Sequence, residues 1–222
     1  MIKSPGIIDN TIELSGRCYA IRMMPHEVDI ADIHDKWDQA YADAMKLIVD
    51  GNVDEGKEIL EELYRRKYNR AGHTLSYGYG AGWFGEPDPK KYLSLVYALV
   101  LKGYSAAFSD YGFCYDCGIG VKKSMRWALY WYLKAADYDD EEAQNILGLC
   151  YEEGLGVLKD YEKAYYWFQL AVKNGAGACA EHNLARCFRL GRGISEDKEM
   201  ANKYEALAVK HGFHKKDKGT VI

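Results

Sequence analysis

The sequence repeats itself every 36 or 37 residues, and a chain of stacked near-copies can fold in few ways. Ala143, Leu147, Gly148, Tyr151, Gly154, Gly156, Val157, Ala164, Trp167 and Ala171 recur 36 residues earlier as Ala107, Tyr111, Gly112, Tyr115, Gly118, Gly120, Val121, Ala128, Trp131 and Ala135. A forward shift of 37 gives Ala180, Leu184, Ala185, Phe188, Gly191, Gly193, Ile194, Ala201, Tyr204 and Ala208. A backward shift of 72 gives Ala71, Leu75, Ser76, Tyr79, Gly82 and Leu95. Four units follow, at about 71–106, 107–142, 143–179 and 180–213.

Each unit reads as two helices. Ala143, Leu147 and Tyr151 share one helical face, and Ala164, Trp167, Phe168 and Ala171 share another. The second helix is expected to begin at Asp88, Ser124, Asp160 and Asp197, all good N-cap residues, with Pro89 at the first helical position of one copy. Gly103, Gly175 and Gly212 close three of these helices where a left-handed residue is expected, and Asp139 fills the fourth slot. Alanine columns let paired helices approach, and Tyr/Trp columns fill the space beside them. One helix pair cannot bury such a face alone, so the units must stack. Composition agrees: 48% hydrophobic residues support a core, while only 4 Pro and 3 Thr argue against an all-β chain.

The pattern Ala-x-x-x-Leu-Gly-x-x-Tyr-x-x-Gly-x-Gly-Val, then Asp-x-x-Lys-Ala-x-x-Trp-Phe, read from Ala143 to Phe168, resembles the Sel-1-like repeat family, relatives of the tetratricopeptide repeats. The resemblance covers about Ala71 to Gly212 and is weaker in the first copy, where Phe84 stands at the second Gly of the Gly-x-Gly turn. It implies an all-α fold, a right-handed α-α superhelix whose first helices line a concave face used mostly for binding other proteins. Upstream, residues 33–68 read as a further helix pair joined at Asp50-Gly51-Asn52; without a Gly-x-Gly loop it suits a tetratricopeptide-like hairpin or a cap. Residues 1–32 form an amino-terminal arm, either a short hairpin about Ser15-Gly16 or an irregular segment, and the polar residues 214–222 read as a mobile tail.

Charge and hydropathy narrow the function classes. With 29 basic against 33 acidic residues the net charge is −4, which lacks the positive field that nucleic-acid binding needs. Met1 to Leu14 has one Lys and no apolar h-region, and no 18-residue apolar stretch occurs. A cytoplasmic protein without membrane insertion is expected, its six cysteines (Cys18, Cys114, Cys117, Cys150, Cys179, Cys187) reduced.

Four constellations could carry chemistry, and each has a plainer account. Gly51 to Lys57 has the spacing of a phosphate-cradling loop, yet Glu58 stands where a hydroxyl should hold magnesium, and Asp54 and Glu55 would repel phosphates. Cys114-x-x-Cys117 lacks the second pair that four-coordinate zinc requires, and Cys114, Cys150 and Cys187 form one packing column. Cys179 and Cys187 resemble the disulfide-stapled bacterial branch of the repeat family, to which β-lactam hydrolysis is attributed, but Ala136 and Val172 stand where that branch carries cysteines. His26, Glu27, Asp29, Asp32 and His34 could gather a cation, although a solvated acidic helix start explains them as well. The six histidines show no order that makes a catalytic set, so no catalytic, cofactor or metal site is expected and the chain is read as a non-enzyme.

A binding face is better supported. If Ala143, Leu147 and Tyr151 face the stack, then Asn145, Leu149, Glu152 and Glu153 project toward the concave side. The matching sets are His73 and Tyr77; Ser109, Phe113 and Asp116; and His182, Arg186 and Arg189. Tyr77, Phe113 and Leu149 would make an apolar ladder ending in basic residues, and such ladders signal a partner protein or peptide segment unless the arm or tail covers them. The chain is also polar end to end, with net −5 over residues 1–68 and net +3 over 181–222. The expected function is a protein-interaction scaffold or adaptor. An immunity or regulatory protein that sequesters one toxin or enzyme is a narrower alternative, and a hydrolase of the cysteine-rich branch is disfavoured.

Overall fold

The structure is a computed structural model that describes residues 11–14, 17–20 and 36–213. The described residues hold ten helices: α1 (Lys36–Val49), α2 (Val53–Arg65), α3 (Asn69–Ala81), α4 (Pro89–Leu101), α5 (Ala106–Cys117), α6 (Met125–Ala136), α7 (Glu141–Glu153), α8 (Tyr161–Lys173), α9 (Ala178–Leu190) and α10 (Lys198–Lys210). Two short strands, β1 (Thr11–Leu14) and β2 (Arg17–Ala20), pair antiparallel with Thr11 opposite Ala20 and Leu14 opposite Arg17. The described residues are thus all-α apart from one hairpin. It divides into two compact units, the first running through α1–α5 to Trp131 in α6, the second from Tyr132 onward together with the hairpin.

Three of the four expected start signals, Asp88, Asp160 and Asp197, cap their second helices. Asp88 accepts from the backbone N–H groups of Lys90 and Lys91 at 3.1 and 3.0 Å, Asp160 from Lys163 at 3.0 Å and Asp197 from Met200 at 3.0 Å. Each cap satisfies amides that the helix itself leaves without acceptors, a gain of about 1 kcal/mol per cap. At the other end, Gly103, Asp139, Gly175 and Gly212 all take positive φ, and so does Lys67, 36 residues before Gly103. The helix pair α1–α2 therefore closes on the same left-handed turn as the four units after it. Gly51 and Asn52 form the turn between α1 and α2, so the phosphate-loop spacing falls in a helix–turn–helix setting with no strand before it.

In the first unit, Tyr41, Ala44, Met45, Ile48, Leu60, Leu63, Ala71 and Leu75 form one buried cluster, and Tyr92, Val96, Tyr111 and Cys114 another. In the second, Leu149, Ala164, Phe168, Leu184, Cys187, Phe188 and Ala201 pack together from α7, α8, α9 and α10. Burying each large side chain contributes about 1.5–3 kcal/mol. Gly193 shows why the Gly-x-Gly turn is fixed: its φ is +73° and a Cβ there would lie 2.0 Å from the Tyr161 carbonyl oxygen. The turn leans directly on the start of the preceding second helix. In the first copy Phe84 replaces that glycine and folds back instead, its ring occupying the space where a Cβ on Gly78 would sit, 2.1 Å away. A glycine at 78 makes the departure possible.

Within the second unit β2 runs beside α7 and α9, its Cα atoms within 8 Å of theirs. The arm's hairpin reading thus has its strands where Ile12–Leu14 and Cys18–Ala20 placed them. The histidine–acidic cluster at 26–34 and the tail 214–222 lie outside the described residues.

Candidate binding surface

The first helices of each unit are fastened to one another by polar contacts, and these define the candidate face. In the first unit His73 on α3 and Asp110 on α5 meet at 2.6 Å between Nε2 and Oδ2. An ionised carboxylate only accepts, so the imidazole presents Nε2–H. The Tyr77 hydroxyl donates to the other oxygen of Asp110 at 3.0 Å. The His73 ring is held between Tyr77 and Tyr104, with centroids at 4.7 and 5.6 Å. Burial raises the Tyr104 phenol above its ordinary range. One helix pair earlier, the hydroxyls of Tyr41 and Thr74 bond at 2.8 Å and tie α1 to α3. The Arg70 guanidinium stacks 4.6 Å from the centre of the Tyr41 ring, and Tyr68 donates to Asp38.

In the second unit Asn183 on α9 donates to Asn145 on α7 at 2.9 Å. Glu152, 3% exposed, lies between Arg186 and Arg192; it accepts from both, from Arg192 Nη1 at 2.7 Å. Glu205 on α10 meets His182 at 3.2 Å and Arg189 at 3.4 Å. Burial holds the His182 imidazole below the ordinary histidine range, outweighing the pull of Glu205. Its ring stacks on Phe213 with centroids 4.1 Å apart.

Burial pushes the Cys114 and Cys187 thiols up to about 12 and Cys117 up to about 11, so at neutral pH they hold almost no thiolate. Cys114, Cys117, Cys150, Cys179 and Cys187 form no disulfide. Among the described residues no group of three or more His, Cys, Asp or Glu side chains is placed to hold a metal ion. No described helix is long and apolar enough to cross a membrane.

The structure departs from the expected face at four positions. Leu149 is 3% exposed and sits in the core with Phe168 and Leu184, so it is no rung of a surface ladder. Glu152 is no rim charge, because two arginines and the burial of its carboxylate make it an internal clasp. Asp116 and Asn145 are also buried. The common reason is that helix geometry gives the direction of a side chain but not what packs over it. His73, Tyr77, Ser109, Phe113, His182 and Arg186 are partly exposed, while Glu153 and Arg189 reach solvent.

Two residues of the clasps were not foreseen. Asp110 lies in the register of Thr74, Ile146 and Asn183, a buried column next to the expected one; a carboxylate between Ala107 and Tyr111 was the signal available. Arg192 is the middle residue of a Gly-x-Gly turn whose counterparts are Trp83, Ile119 and Leu155, so a charge there already asked for a partner.

The fold and this face define a helical-repeat protein. Residues 109–139, 141–175 and 180–213 each match the family model for the Sel1 repeat, so the chain carries three Sel1 repeats. Similar solved structures include a Sel1 repeat protein from Oxalobacter formigenes, 24% identical, with a TM-score of 0.71 over 78% of this chain and 70% of that one. Another is c5321, a protective antigen of uropathogenic Escherichia coli strains with an SLR fold, 28% identical, TM-score 0.65 over 71% of this chain; the match spans 33% of that protein's length. A sel1 repeat protein from Klebsiella pneumoniae subsp. pneumoniae aligns at 18% identity and TM-score 0.53 over 80% of this chain and 88% of that one. Among curated protein sequences none is a significant match. Sel1 repeat proteins are generally non-catalytic protein-interaction scaffolds.

Proposed function

We propose that this chain is a non-catalytic adaptor that holds a segment of a partner protein on its first-helix face. The observation that carries the reading is the clasp of His73, Asp110 and Tyr77, which fixes two partly exposed side chains before any partner arrives. Phe113, one turn further along α5, is half-buried in the same unit and supplies an aromatic anchor. A surface already held in one arrangement loses little conformational entropy on binding, so more of the contact energy becomes affinity. In the second unit Arg186, Arg189 and Glu153 offer charges for orientation, and His182 a ring edge. There the chain's own β2 lies along α7 and α9, so a partner shares that face with the hairpin.

Purification of the full chain with bound proteins, followed by mass identification, would name the partner. Phe113→Ala should then weaken that complex by about 2 kcal/mol with the thermal midpoint unchanged. An unchanged affinity would place the partner on another face.

A further inference from the structure

We propose that the exposed aromatic surface of the first unit, where Tyr97 on α4 is joined through Tyr111 and Trp131 to Tyr130 and Trp127 on α6, docks a short acidic peptide segment of another protein carrying aromatic or aliphatic side chains. This face is separate from the first-helix face of the proposed adaptor function.

The rings form a connected surface. Tyr111, Trp131, Tyr130, Trp127 and Tyr115 follow one another in a closed circuit, with successive centroids at 5.0, 5.1, 5.9, 6.2 and 5.2 Å, and Tyr97 joins it at 5.7 Å from Tyr111. Three of its members stay in water: Tyr97 is 46% exposed, Trp127 51% and Tyr130 51%, while Leu101, one turn beyond Tyr97, is 70% exposed. The repeat does not ask for them. The register of Trp127 holds Lys91, Lys163 and Met200 in the other units, that of Tyr130 holds Ser94, Tyr166 and Lys203, and that of Tyr97 holds Leu133, Gln169 and Ala206. Stacking is achieved elsewhere without an aromatic at the Trp127 position, so its exposed ring is surplus to the fold. A half-exposed apolar cluster of this kind marks an interaction site.

Charge selects the occupant. Between Pro89 and Trp131 every surface charge is basic: Lys90, Lys91, Lys102, Lys122, Lys123 and Arg126. The acids of that stretch, Asp110 and Asp116, are buried on α5. The stretch that carries the exposed rings is thus locally positive on a chain of net charge −4 and complementary to acidic side chains, with the rings accepting the apolar ones between them. A long polyanion fits poorly, because the neighbouring α2 carries Asp54, Glu55, Glu58, Glu61 and Glu62. Glu61 is close enough to the α4 edge to accept from Tyr79 at 3.4 Å, and Lys91 lies 4.7 Å from the Tyr79 ring. A nucleic-acid strand or an anionic bilayer extending past the basic patch would meet those carboxylates, whereas a short segment would not.

The test uses the full chain and fluorescence anisotropy of a labelled synthetic peptide alternating Asp or Glu with Phe or Leu. Binding is expected at low salt, absent for the same peptide with Lys in place of its acids, and weakened about tenfold by Trp127→Met with Tyr130→Ser. These residues stand at the same registers in other units, so the fold accepts them, and circular dichroism melting should confirm it. Lys122→Glu with Lys123→Glu and Arg126→Glu, in exposed positions, should abolish binding, while Phe113→Ala on the other face should leave it unchanged. The proposal is overturned if neither variant set weakens the peptide, or if no peptide binds. It is overturned equally if an oligo-dT strand or phosphatidylserine vesicles bind the face more tightly, or if sedimentation shows that the same substitutions only dissolve a self-associated form.

Discussion

At the scale of single residues, Glu152 separates what a sequence can say from what it cannot. Its position on the helix face shared with Asn145 and Leu149 follows from the spacing alone, and the structure keeps that relation. That this face is closed over at Leu149 and Glu152 depends on Arg186 and Arg192, 34 and 40 residues away, and on the core contacts of Leu149. A buried carboxylate with two guanidinium partners cannot be removed without leaving the cations poorly compensated. Glu152→Ala should therefore cost about 2–4 kcal/mol in urea unfolding, whereas Glu153→Ala, in solvent one residue later, should change stability by less than about 0.5 kcal/mol. Equal effects for the two would dissolve the distinction between clasp and rim.

At the scale of the helical elements, boundaries were far more legible than surfaces, because capping is local chemistry. Asp88, Asp160 and Asp197 accept the amides that their position in the repeat predicts. The family pattern stops short of Lys67, since a lysine carries no sign of a left-handed turn, and only the backbone reveals it at φ +69°. A side chain with a Cβ is strained there by about 1–2 kcal/mol, against a smaller gain from the stiffer unfolded chain. Lys67→Gly should accordingly raise stability by about 0.5–1 kcal/mol, read from the denaturant midpoint. The reverse experiment is harsher: Gly193→Ala drives a methyl into the Tyr161 carbonyl at a positive φ. A loss of about 2 kcal/mol or more is expected, with hydrogen exchange accelerating at the start of α8 and in α9; exchange confined to residues 191–194 would show that the turn does not brace the preceding helix.

At the scale of the whole molecule, both units bury a thiol from the same column. Cys114 and Cys187 are raised from about 9 to about 12 by burial, and in the unfolded chain they return to the ordinary value. A group whose folded value lies above its unfolded one gives stability that is complete below pH 9 and is lost as pH rises toward 12. Unfolding in urea should show a lower midpoint at pH 10.5 than at pH 8, by about 2–4 kcal/mol for the two thiols together, and Cys187→Ala should remove its share of that slope. The repeat stacking that buries these thiols was legible from the Ala, Gly and Tyr columns, while the exposed rings of Trp127 and Tyr130 were not, since aromatics flanking the packing residue Trp131 read as part of the same core. The turns at Lys67, Gly103, Asp139, Gly175 and Gly212 recur at intervals of 36, 36, 36 and 37 residues. They act as splice points: a second copy of residues 140–175 inserted after Gly175 would enter and leave on one backbone conformation. The length of such a chain is therefore stepped, free to grow by whole helix pairs of 36 or 37 residues through unequal recombination.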